Sequence, residues 1–108
     1  MTAVLYEPGE YRLRVEGHAQ ATDEGFDPVC AGASALAWAL VEAATNREDF
    51  SACLHIDPVN AVIDVRCYPA EAAEKDCRYM LEIIFGGLLL ISEAYPHNMR
   101  IKIGGTGT

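Results

Sequence analysis

Between Ala70 and Pro96 the apolar residues Ala73, Cys77, Leu81, Ile84, Leu88, Ile91 and Tyr95 recur at steps of three and four. That spacing puts them on one face of a long helix. Such a helix carries a wide apolar stripe that another layer must cover. Pro96 ends it, since proline has no N–H to donate and clashes with the preceding turn. Elsewhere the period is two. Tyr11, Leu13 and Val15 alternate with Arg12, Arg14 and Glu16, the signature of a strand with one wet side. Ala52, Leu54 and Ile56 repeat the pattern, as do Ala61, Ile63, Val65 and Cys67, and then Met99, Ile101 and Ile103. Helical and strand periods in one short chain predict an α+β layer architecture.

A second helix begins at Asp27-Pro28. Asp27 suits the N-cap, and Pro28 the first helical position, where its missing N–H is not needed. From Pro28 to about Thr45 the residues Val29, Ala33, Leu36, Leu40 and Ala44 share a face. Ala31, Gly32, Ala35, Ala37 and Ala39 keep this helix thin, so another helix can approach closely. Gly86 and Gly87 inside the later helix each cost about 1 kcal/mol relative to alanine, which predicts that they meet it. Strands are expected at Ala3 to Tyr6, Tyr11 to Glu16, Ser51 to Asp57, Asn60 to Tyr68 and Met99 to Ile103, with a tight turn at Pro58-Val59. The order is β-β-α-β-β-α-β: a mostly antiparallel sheet of four to five strands with two helices packed on one face. Residues 1–108 then form one domain, with 104–108 as a flexible tail. Ile83, Phe85 and Leu90 extend the apolar surface beyond one core face and suggest a homodimer contact.

With 51% apolar and 22% charged residues, the composition is that of a globular chain. The longest apolar run, Ile83 to Ile91, falls short of the roughly 20 residues that span a bilayer. The N-terminus lacks the basic and apolar segments of a secretory signal. Both point to a cytoplasmic protein with reduced thiols and no membrane partner. Sixteen acidic against eight basic residues give a charge of −8, which argues against nucleic acid as the main partner and favours a basic or neutral one. The same surplus also serves solubility alone. Cys30, Cys53, Cys67 and Cys77 form no C-x-x-C pair and have no closely paired histidine, so a zinc site is not expected.

Cys30 is the third residue of the first helical turn, where unpaired N–H groups and the positive end of the helix dipole favour a thiolate. His18 closes the preceding strand on its polar side, with the loop Ala19 to Phe26 between them. Ser34 lies one turn beyond Cys30 on the same face, a candidate to hydrogen-bond the thiol or a substrate carbonyl, and Asp27 is a candidate to orient His18 as well as to cap the helix. N–H groups at the helix start are candidate oxyanion donors. The residues alone leave two readings open. One is a nucleophile with its base; the other is a small packing residue, a surface histidine, a cap and a filler serine.

The run Gly17-His18-Ala19, a short loop, and then Gly25-Phe26-Asp27-Pro28-Val29-Cys30-Ala31-Gly32-Ala33-Ser34-Ala35-Leu36 closely resembles the ribosomal-processing cysteine proteases called Prp. Their pattern reads G-H-A, a variable loop, and G-x-D-I-V-C-A-A-V-S-A-L. Chain length, element order, Gly87-Leu88 and Tyr95-Pro96 continue the resemblance. It implies a cytoplasmic, bacterial or phage-borne homodimer, a cysteine endopeptidase that removes the N-terminal extension of a large-subunit ribosomal protein. It assigns the nucleophile to Cys30 and the proton donor and base to His18, with Asp27 and Ser34 in support. The loop carrying Gly25 and Phe26 would gate a basic precursor peptide. No cofactor, metal, nucleic acid or membrane is implied. Pro28 stands where isoleucine is usual, and Gly32 and Ala33 where alanine and valine are usual. None removes a catalytic group, though packing beside the site bears on peptide specificity. The rival readings are a non-enzymatic dimeric module of the same fold, a thiol protease acting on a different protein such as a phage one, and a thiol enzyme of another class. Cys53, Cys67 and Cys77 are assigned to packing, and His55 and His97 to ordinary sheet and loop positions.

Overall fold

The computed structural model describes residues 1–17 and 27–104. Its strands are β1 (Thr2–Glu7), β2 (Arg12–Glu16), β3 (Cys53–Asp57), β4 (Val62–Arg66) and β5 (Met99–Ile103), and its helices α1 (Pro28–Thr45) and α2 (Glu74–Ala94). The five strands form one sheet in the order β3-β4-β2-β1-β5. Every neighbouring pair is antiparallel except β1 and β5, which run parallel. This is the expected α+β order, in a mixed and mostly antiparallel sheet.

The inner face of the sheet supplies Val4, Tyr6, Leu13, Val15 and Val65 to the core. Against them lie Val29, Ala33, Ala37, Leu40 and Ala44 of α1 and Cys77, Leu81, Ile84, Phe85 and Leu88 of α2. Ala37 takes the core position the spacing gave to Leu36. Leu36 instead turns toward the other helix. A Cβ on Gly87 would sit 2.9 Å from Leu36 Cδ1, and one on Gly32 would sit 3.0 Å from Ile91 Cδ1. These glycines let the helices meet.

Gly86 differs from its neighbour, since a Cβ there meets nothing within 4 Å. A helical glycine with open space carries only the entropic penalty, so Gly86→Ala should stabilise the fold by roughly 0.5–1 kcal/mol. A shift of the urea midpoint to higher concentration would register it; an unchanged or lower midpoint would contradict the open-space reading.

Several sequence expectations shift. The segment from Ala70 opens with a 3-10 turn at Glu71–Ala73 before α2 begins, because Ala70 N–H is drawn to Asp49 O at 2.8 Å. Phe85 belongs to the core, with its ring 4.5 Å from that of Tyr6, whereas Ile83 and Leu90 are 73% and 68% exposed. β3 starts at Cys53, after Ser51 takes a positive φ of 46°. As an edge strand it overhangs the helical layer, so Leu54 and Ile56 are exposed. Its turn into β4 is built by Asp57, which accepts hydrogen bonds from the Val59 and Asn60 amides and from Asn60 Nδ2; Ala61 closes it at φ 53°. Gly104, placed at the head of the tail, donates its N–H to Tyr6 O at 2.9 Å, and 105–108 lie outside the described residues. α1 is long and apolar enough by composition to cross a membrane; in this fold its apolar face lies on the sheet.

Among the described residues, no helix packs on the outer face of the sheet. Arg12 bridges Glu7 at 2.8 Å and Asp64 at 2.7 Å, and Arg14 reaches Glu16 at 2.9 Å and Asp64 at 3.5 Å. Burial pushes the Asp64 carboxyl up, but the Arg12 hydrogen bonds and the charges of Arg12, Arg14 and Arg66 outweigh it and hold the group below its ordinary range.

Candidate active site

Asp27 takes an extended conformation at the start of α1, and its Oδ1 accepts the N–H of Val29 and of Cys30, both at 3.0 Å. Its carbonyl accepts the N–H of Ala31 at 2.9 Å. Pro28 has no N–H to place. The cap therefore engages the amides of Val29, Cys30 and Ala31, which sequence reasoning had offered as oxyanion donors. The reason is local: a carboxylate at the N-cap reaches the orphan amides before any substrate can.

Cys30, Ser34 and Trp38 follow one another at four-residue steps along α1 and line a cavity of about 230 Å³. Ile56, Asp57 and Pro58 face them from the end of β3, and Thr2, Val15 and Gly17 close the sheet side. The walls are mostly apolar, with Cys30, Ser34, Thr2 and Asp57 as the polar residues among them. Trp38 is 52% exposed, an uncommon cost for so large an indole. Of the predicted site residues, Cys30, Ser34 and Asp27 come together at this helix end. His18, Gly25 and Phe26 lie outside the described residues.

Gly17, the residue before His18, sits at φ +90°, and a Cβ there would lie 2.6 Å from Met1 O. Its N–H donates to Ala61 O at 3.0 Å, which joins the end of β2 to the β3–β4 turn beside the cavity. Sequence reasoning missed Trp38, although its distance of four residues from Ser34 was a usable signal. It also missed Thr2 and Pro58, for which no local pattern exists, because strand pairing brings them in.

No disulfide links the four cysteines. Cys67 and Cys77 are buried, as expected, with their thiols adjoining. Burial first, and the adjoining Cys77 thiol second, push Cys67 up to about 12, and burial raises Cys77 as well. Cys53, assigned to packing, is instead exposed on β3, because no described residue forms a layer over the outer side of this edge strand. His55 is also exposed there, opposite Asp64. With an aromatic disulfide reagent at neutral pH, Cys53 and Cys30 should react in the folded protein and Cys67 and Cys77 only after denaturant is added. Rapid labelling of all four without denaturant would contradict the buried pair.

The profile of the cysteine protease Prp family matches residues 5–100. No curated protein matches the chain. Among solved structures, the fold is similar to that of an essential ribosomal processing protease Prp from Staphylococcus aureus with a covalently linked product peptide. The TM-score is 0.82 at 24% identity, over 96% of this chain and 100% of that one. The same protease with a substrate peptide gives a TM-score of 0.78 at 22% identity, over 96% and 100% of the two chains. SMU.848 from Streptococcus mutans gives 0.70 at 24% identity, over 94% and 90%. A nucleophilic residue type at a capped helix end, a cavity beside it and a profile match over most of the length agree: this chain belongs to the Prp family of cysteine proteases.

Proposed function

We propose that the chain is a cysteine endopeptidase that removes the N-terminal extension of a large-subunit ribosomal protein. The observation that carries this reading is Cys30, the first-turn cysteine of α1, opening into an apolar cavity that has room for a substrate side chain. In the proposed reaction Cys30 Sγ bonds to the scissile carbonyl carbon while His18 takes the thiol proton. The C–N bond then breaks, and His18 delivers that proton to the leaving amine. Water, deprotonated by His18, hydrolyses the thioester and restores the thiol. With the amides of residues 29–31 engaged by Asp27, the Ser34 hydroxyl is the donor assigned to the tetrahedral oxyanion, and Asp27 acts by fixing the helix end. The similar Prp protease from Staphylococcus aureus holds substrate and product peptides, which supports a peptide in this cavity.

The working form is a cytoplasmic homodimer. Tyr79, Ile83 and Leu90 leave an exposed apolar stripe on α2, of the kind that a second copy covers. The precursor is basic and this chain acidic, which assists encounter. Incubation with the ribosomal precursor should yield one N-terminal cut; a precursor left intact by the active protein would defeat the substrate assignment.

A further inference from the structure

Arg12, Arg14, Arg66, Arg100 and Lys102, five of the chain's eight cations, stand on the open outer face of the sheet. Three carboxylates, Glu7, Glu16 and Asp64, are interleaved with them and are occupied by Arg12 and Arg14. The next, Asp57, lies at the β3 corner and is turned onto Asn60. Among the described residues, Arg66, Arg100 and Lys102 enter no ion pair. A chain of net charge −8 thus presents one face of the opposite sign.

That face is shaped as well as charged. Arg14 of β2 and Lys102 of β5 flank Leu5 of β1, and Arg100 flanks Ala3. They border a groove of about 290 Å³ whose floor is Ala3 and Leu5. Neighbouring strands lie about 4.8 Å apart, so the two basic walls stand roughly 10 Å from each other, and Arg66 extends the line to about 14 Å across β4. Along β5, Arg100 and Lys102 are about 6.7 Å apart. A single carboxylate would satisfy one corner of this array, whereas a polymer with regularly spaced anions runs its length.

We propose that this groove binds RNA through its phosphates. Four of the five cations are arginines, whose planar forks match phosphate oxygens. The floor offers no aromatic platform for bases, and contacts to phosphates carry no sequence information, so binding is independent of sequence. The choice of RNA over an acidic protein rests on the proposed ribosomal substrate, which meets RNA during assembly. The face thereby reverses, locally, the expectation drawn from total charge.

The test titrates a labelled single-stranded RNA with the Cys30→Ala protein and reads fluorescence anisotropy. Binding is expected at low salt and should weaken about tenfold or more between about 50 and 200 mM. Arg100→Glu with Lys102→Glu should weaken it about tenfold or more, while Lys75→Glu with Arg78→Glu, the same change of charge on α2, should not. A thermal melt checks that the β5 variant is folded, and Lys102→Glu alone replaces it if it is not. Absence of binding at low salt, equal binding by the β5 variant, or displacement by polyglutamate at equal charge would overturn the proposal, the last in favour of an acidic protein. Because RNA binding is read without cleavage, failure to cut the precursor would defeat the substrate assignment without altering the outcome of this titration.

Discussion

Cys30→Ala is expected to leave the ribosomal precursor intact under conditions where the parent protein trims it fully, a loss of at least about a thousandfold in rate. The size of the effect follows from the chemistry, since without the sulfur no acyl intermediate can form and neither His18 nor Ser34 can replace it. The fold should survive. Cys30 is only partly buried, and alanine keeps the Cβ and the backbone N–H that Asp27 Oδ1 accepts. Cleavage and thermal melting, measured on one preparation, separate the two effects. Cys53→Ala, on the exposed edge strand, is the matched control and should cut as the parent does. Retained cleavage in Cys30→Ala would move the nucleophile elsewhere, whereas loss in both variants would mean that the assay reports thiol content rather than a site.

Gly17→Ala should cost about 1–3 kcal/mol in strain, which for a chain of this size lowers the melting temperature by roughly 5–15 °C. The positive φ of 90° excludes side chains on its own account, and a Cβ would drive into the carbonyl oxygen of Met1 at 2.6 Å. That neighbour is a backbone atom tied to Thr2 at the start of β1, so it cannot swing aside as a side-chain end does. Relief must come from moving Gly17, which loosens its bond to Ala61 O and shifts the residue that precedes His18. Cleavage should therefore fall further than stability explains, even well below the new melting temperature. Unchanged calorimetry would show that the turn relaxes without cost.

The helices and strands were legible because their apolar residues keep one period over many positions. The Asp27-Pro28 start was legible because capping is local chemistry. What escaped notice depends on contacts between distant segments. Leu54 and Ile56 alternate as a core strand would, yet exposure was decided by their place at the sheet's edge, which periodicity does not encode. Phe85 lies beside the stripe of three- and four-residue steps, yet Tyr6 reaches it from the sheet. Gly86 and Gly87 are chemically identical, and only the position of α1 distinguishes the contact from the gap. At the site, the motif located Cys30, Asp27 and Ser34, while the opposing wall of Thr2 and Pro58 needed the folded sheet. The amides offered as oxyanion donors are a different case: the cap that announces the helix also engages the amides it gathers.

The parallel pairing of β1 with β5 sets a timetable for the thiol. Thr2 to Tyr6 hydrogen-bond beside Met99 to Ile103, and at ordinary elongation rates the ribosome needs about 5–20 s to deliver the second partner after the first. Thr2, whose N–H donates to Asn98 O at 3.0 Å, is also a wall of the Cys30 cavity. The strand that carries this wall of the pocket therefore gains its second neighbour only when β5 has been made.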